Sequence, residues 1–102
     1  MRGNSYSKKH AFLDENSSRE YWQFSFEEFG DFDIPNSIDY ILKVTNKASI
    51  SIIGLSQGTT STFHSLVQKQ EFYKDKINVF IALAPAITLN YTSDEFLVKL
   101  AE

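Results

Sequence analysis

Ala48-Ser49-Ile50-Ser51-Ile52-Ile53-Gly54-Leu55-Ser56-Gln57-Gly58 decides how this chain is read. Ala48 to Ile53 is short, β-branched and closed by a glycine, which predicts a strand. From Gln57 to about Lys69, Phe63, Leu66 and Val67 fall on one side, which predicts a helix. Between the two lies Gly54-Leu55-Ser56-Gln57-Gly58, a G-x-S-x-G pentapeptide. Its three fixed residues co-occur by chance in roughly a few per cent of chains this long, taking Gly at about 7%. Placed at the end of an apolar strand and the start of a helix, it has the context of a nucleophile elbow. Such a turn is sharp and strained at the serine. Residues two before and two after the serine approach each other, so Gly54 and Gly58 are expected where side chains would clash. Ser56 Oγ would then stand clear of the sheet at a helix N-terminus, where negative charge is favoured. The Gln57 backbone N–H would be placed to donate to an oxyanion. A plainer reading stays open: the two glycines only allow tight strand–helix packing, with Ser56 as an N-cap.

Downstream, Ile77 to Leu83 is a second apolar strand stopped by Pro85, and Thr92 with Glu95 predicts a last capped helix carrying Phe96, Leu97 and Leu100. Upstream, residues to about Arg19 read as a polar loop. Ser25 with Glu28 is a capping-box pattern that starts a short helix. Gly30 and Asp31–Asp33 are expected to interrupt it. Asp33, fitting a helix cap, and Pro35 mark a second start, with Ile34, Ile38, Ile41 and Leu42 at helical spacing and an end near Thr45–Lys47. Helices alternating with strands predict an α/β class with a parallel βαβ core and flanking helices. Both strands are apolar nearly throughout, as strands covered on both faces are. Two strands have free edges that need neighbours, so the chain reads as a partial domain.

The 102 residues bound the chain to one domain. A hydrophobic fraction of 42% and an aromatic fraction of 15% provide for a packed core. Ten basic residues are scattered among thirteen acidic ones, a net charge of -3, which points away from nucleic acid. There is no cysteine, hence no disulfide or thiolate metal site. No His/Asp/Glu grouping has metal-ligand spacing, and no cofactor is expected. No apolar run is long enough to span a membrane. The opening MRGNSYSKKH is polar and basic and does not read as a secretory signal, so either the mature protein is intracellular or the true start lies upstream.

Stretches on both sides of the elbow carry a resemblance. They are Arg2-Gly3-Asn4 with Tyr6 to His10, Tyr21-Trp22-Gln23-Phe24-Ser25-Phe26-Glu27-Glu28, Asp33-Ile34-Pro35-Asn36-Ser37-Ile38, Gly54 to Thr60, and Phe80-Ile81-Ala82-Leu83-Ala84-Pro85. In one order and register they resemble the acid lipases, the gastric and lysosomal group of the α/β-hydrolases, over nearly the whole chain. Their counterparts there read F-W-x-F-S-F/Y-D-E, D-L-P-A-S-I, G-H-S-Q-G-T-T and F-x-A-L-G-P. Leu55 departs from the family's histidine before the serine, at a position outside the triad. The resemblance implies a lipase of lipid metabolism acting on lipid esters, triacylglycerol or steryl ester, through Ser56, an acyl-enzyme and a Ser–Asp–His triad. It implies that the triad Asp and His follow the second strand beyond an inserted cap, and that the second oxyanion donor precedes Arg2. None of these is in this chain, and the N-terminal strands are likewise absent from residues 1–102. It further implies transient contact with lipid surfaces in the full-length enzyme and a secreted or lysosomal location.

Other candidates are weaker. His10 precedes Ser56, the wrong order for this fold. His64 lies eight residues along the helix, roughly 12 Å from its start, and is expected to pack rather than react. Asp94 reads as a helix-start carboxylate. The aromatic cluster Tyr21, Trp22, Phe24, Phe26, Phe29 and Phe32 is expected in the core. Asn16-Ser17-Ser18 and Asn90-Tyr91-Thr92 are glycosylation sequons. A second class of function stays beside the hydrolase: a catalytically dead, truncated hydrolase that serves as a binding module.

Overall fold

The structure, a computed structural model, describes residues 1–88. The helix expected around Thr92–Leu100, Asp94 and the second sequon lie outside them. A 3-10 turn, Arg19–Trp22, precedes α1 (Phe26–Glu28), a π-helical stretch (Phe29–Asp33) and α2 (Ile34–Thr45). Then come β1 (Ile50–Leu55), α3 (Gln57–Gln68), α4 (Gln70–Tyr73) and β2 (Ile77–Leu83). The strands pair in parallel, Ile53 opposite Ile81, Gly54 opposite Ala82 and Leu55 opposite Leu83, with one irregularity between Ile50 and Ser51. The α/β class and the parallel βαβ order are as the sequence predicts.

The capping box forms. Glu27 N–H donates to Ser25 Oγ at 3.1 Å and Ser25 N–H donates to a Glu28 carboxylate oxygen at 2.6 Å. That second bond is the main reason the Glu28 carboxyl lies below its usual range.

The expected interruption at Gly30–Asp33 does not occur. The chain stays helical from Phe26 to Thr45 by widening to a π-turn, in which Ile34 N–H donates to Phe29 O. Pro35 gives the physical reason. It has no N–H for an i→i−4 bond, and its ring would clash with the carbonyl of Asp31 in a regular helix. A π-turn just before it moves the ladder out of register. Asp33 is therefore not a cap, and its side chain makes no capping bond. Its carboxylate takes Arg2 instead: the backbone N–H at 2.6 Å on one oxygen, and Nε and an Nη at 3.0 and 2.8 Å on the other. Charge-assisted bonds of this kind tie the N-terminal segment to the π-turn. α2 ends on Asn46, which adopts the left-handed conformation (φ 53°).

α3 buries a different face from the one expected. Thr59, Ser61, Thr62 and Ser65 are buried, Phe63 and Leu66 are half-buried, and Val67 is exposed. Phe63 does pack, edge-on to Phe80 of β2 with ring centres 5.0 Å apart. The small polar residues let the π-turn come close. A Cβ on Gly30 would lie 2.7 Å from His64 Cδ2 and 2.8 Å from the Ser61 carbonyl. Ser65 Oγ donates to the Gly30 carbonyl and is also bonded to Tyr73 OH. A serine has one hydrogen to give, so the tyrosine is the donor in that pair. Burial raises the Tyr73 pKa above its ordinary value, against the opposing effect of the Ser65 bond.

The strands and the aromatic cluster are less covered than their apolar character suggests. Ile53, Leu55, Val79, Ile81 and Leu83 are exposed, so the described residues cover the strands on one face and leave the other for the neighbours a partial domain lacks. The aromatic cluster is not a core: Tyr21 is buried, but Trp22, Phe26 and Phe32 are exposed. The rings form a file instead, Phe12 to His10 to Tyr21 to Trp22 to Phe24 to Phe29, with neighbouring ring centres 4.7 to 6.1 Å apart. Apolar burial is correspondingly thin. Tyr21, Ile38 and Tyr73 are the buried large apolar residues among those described.

Gly30→Ala should destabilise the protein by about 1–3 kcal/mol, the usual range for overpacking, because one of the blocking atoms is backbone. Urea unfolding measures it. The Glu28 capping bond should vanish in acid. Its carboxyl is depressed in the folded state, so its contribution is present above the ordinary carboxylate range and lost as pH falls through the folded value. Glu28→Gln should flatten that part of the pH–stability curve.

Candidate active site

β1 runs straight into α3, and Ser56 is the single residue between them. Its backbone has φ 51° and ψ −120°, far from the allowed wells of a residue with a side chain. Such a conformation costs on the order of 1–3 kcal/mol and persists only when its surroundings impose it. They do so here. Ser56 N–H donates to Leu83 O at 3.0 Å, extending the β1–β2 ladder by one rung. Ser56 O accepts from Thr59 N–H at 2.8 Å and from Thr59 Oγ1 at 2.6 Å.

Ser56 occupies the N-cap position of α3, yet its side chain makes no capping bond, and the residue is exposed. The plainer reading of Ser56 as an N-cap therefore lacks its hydrogen bond. Gln57 opens α3, where N–H groups have no acceptor within the helix. The hydroxyl of this exposed serine stands next to the Gln57 N–H at the start of a helix, an arrangement suited to attack on a carbonyl and to holding the resulting oxyanion.

The two glycines are not equivalent. A Cβ on Gly54 would lie 3.0 Å from the Phe80 ring and 3.1 Å from the Gly58 carbonyl oxygen. A Cβ on Gly58 would meet nothing within 4 Å. The clash expected on both sides of the serine exists on one. The Cβ direction at residue 54 points at the backbone of residue 58, while that at residue 58 points into open space.

The histidines lie elsewhere in the hydrogen-bond network. His64 Nε2 is 3.2 Å from an Asp31 carboxylate oxygen, with the Phe26 ring edge-on at 5.8 Å between centres. It packs, as the sequence predicts. His10 Nδ1 accepts from the backbone N–H of Leu13 at 3.0 Å and of Phe12 at 3.3 Å within the exposed N-terminal loop. Among the described residues no three His, Asp or Glu side chains gather as a metal site requires, and no helix is long and apolar enough to cross a membrane.

Sequence reasoning missed Thr59 and Thr60. Thr59 is wholly buried and its Oγ1 accepts from Ala86 N–H at 3.0 Å, while Thr60 Oγ1 donates to the Ala86 carbonyl. The usable signal was their place directly after the pentapeptide, on the first turn of α3.

A parallel βαβ unit with an exposed serine at its strand–helix junction defines the class of site. No protein-family profile matches the chain. Individual proteins do. The chain is 47% identical over 87 residues to a probable lipase of Schizosaccharomyces pombe, covering 85% of this chain and 18% of that protein. It is 45% identical over 92 residues to the lysosomal acid lipase/cholesteryl ester hydrolase of Rattus norvegicus, covering 90% and 23%. It is 39% identical over 95 residues to the gastric triacylglycerol lipase of Bos taurus, covering 93% and 23%. The chain belongs to the acid lipase family. It spans about a fifth of the length of these relatives.

Gly54→Ala should cost more stability than Gly58→Ala. About 1–3 kcal/mol is expected at position 54 from crowding against backbone. Position 58, helical and open, should be near neutral or gain up to about 1 kcal/mol. Parallel denaturation curves of the two variants test the asymmetry.

Proposed function

We propose that the protein carrying this chain is a lipase of the acid lipase type, with residues 1–102 forming the part of its α/β-hydrolase domain around the nucleophile elbow. Ser56 is its nucleophile and the Gln57 N–H one of its oxyanion donors. The observation that carries this is the backbone of Ser56: strained, pinned at both flanking peptides, and leaving an exposed hydroxyl that caps no helix. The names of the relatives supply the substrate class. One is described as a cholesteryl ester hydrolase and another as a triacylglycerol lipase.

The chemistry follows from the atoms. Ser56 Oγ adds to the ester carbonyl as its proton passes to a base, and the carbonyl oxygen becomes an oxyanion facing the Gln57 N–H. Collapse expels the alcohol, which takes up the proton, and leaves an acyl-enzyme that water hydrolyses. Within residues 1–88 neither histidine is offered as the base, since His64 faces Asp31 and His10 faces its own loop. The base and its carboxylate partner are assigned to the rest of the protein. A serine without its base retains only a small residual rate, on the order of a thousandth or less of the intact triad.

That engagement of both histidines also favours a second reading, in which the isolated chain is an inactive hydrolase segment that at most binds a partner or acyl ligand. Labelling by a fluorophosphonate probe separates them. The complete protein expressed from its own gene should label, Ser56→Ala should abolish labelling, and residues 1–102 alone should label at the background rate. Unchanged labelling of Ser56→Ala would remove Ser56 from the mechanism.

A further inference from the structure

We infer that Thr59 is the positioning residue of the elbow, acting through its hydroxyl to hold Ser56 in its reactive conformation. This rests on Ser56 being the nucleophile.

The direction of the Ser56 side chain is set by φ and ψ, the rotations linking its Cα to the two flanking peptide groups. The peptide on the N-terminal side is fixed by Ser56 N–H to Leu83 O, at 3.0 Å. The peptide on the C-terminal side is fixed at its carbonyl, and both donors to that oxygen belong to Thr59. A hydroxyl has one hydrogen and two lone pairs. The Thr59 hydrogen goes to Ser56 O at 2.6 Å, and a lone pair takes Ala86 N–H at 3.0 Å. The second bond fixes the hydroxyl's orientation, so its hydrogen is already aimed at the Ser56 carbonyl.

The bonds close a circuit. It runs from Ser56 N–H to Leu83, along the chain to Ala86, through Ala86 N–H to Thr59 Oγ1, and back to the Ser56 carbonyl. Two of its features are costly alone. Ser56 and Ala84 both have positive φ, 51° and 46°, without being glycine. Thr60, which donates to the Ala86 carbonyl, holds the same loop residue from its other side. Thr59 is 0% exposed, so water cannot replace its hydroxyl if it is removed. The β-branch leaves its χ1 little freedom, which favours threonine over serine.

The test uses the complete protein expressed from its own gene, with Thr59→Val and Thr59→Ser. Thr59→Val removes the hydroxyl and nearly preserves the shape. It should slow fluorophosphonate labelling and lower kcat roughly ten- to hundredfold, the scale of a displaced reacting group, with KM little changed. Thr59→Ser keeps the hydroxyl and should remain within about threefold of wild type, given the modest freedom it regains. Wild-type labelling by folded Thr59→Val overturns the inference. So does a folded Thr59→Ser as slow as the valine variant, which would make the methyl the working group. If Thr59→Val does not fold, Thr59→Ser still decides, because a large loss there contradicts a role for the hydroxyl. A purely structural role would lower the melting temperature and leave the labelling rate of folded protein unchanged. Amide exchange reads the circuit without any activity: Ala86 N–H should lose protection in Thr59→Val, and unchanged protection counts against the circuit. Persistent labelling of Ser56→Ala would instead sink the nucleophile reading, whatever Thr59 does.

Discussion

One peptide rung lies beneath the rest of this structure: the bond from Ser56 N–H to the carbonyl of Leu83. It continues the parallel ladder one residue past the end of β1, just where the chain must turn into α3. The cost of that turn is met in the backbone of Ser56, at φ 51°. Gly54 makes room for the turn on one side and Thr59 closes it on the other. The exposed hydroxyl follows from that geometry.

A second constraint is the close seating of α3 against the π-turn. It depends on small residues and on the hydrogen bonds of Ser65 rather than on apolar bulk. Gly30 allows contact with the α3 backbone, and Ser65 supplies a hydroxyl to the Gly30 carbonyl. Buried polar groups are tolerable when hydrogen-bonded, and this network bonds the carbonyl, the serine and the Tyr73 phenol together. The helix that follows Ser56 is thereby fixed on one flank by polar packing and on another by Phe63 against Phe80.

Much of the scaffold was legible in sequence because its signals are local. The capping box at Ser25, the strand Ile77–Leu83 and the helix opening at Gln57 depend on neighbours within a few residues. What failed depended on distant partners. Asp33 looks like a cap until Arg2, 31 residues away, takes its carboxylate. The apolar positions of α3 mark the expected buried face until the π-turn settles on its serines and threonines. The apolar strands predict cover on two faces, while the described residues provide it on one.

The order of residues alone determined the α/β alternation, the strand–turn–helix at 54–58 and the family resemblance. These arise from periodicity, glycine placement and short-range hydrogen bonds, all written in adjacent positions. Tertiary structure alone decided which glycine the strand–helix turn needs, how Pro35 sits inside a continuous helix, and that Thr59 joins Ser56 to Ala86. Each of these is a contact between groups brought together by the parallel crossover or by helix packing. A chain carries no local mark of a partner it will meet only after it has folded.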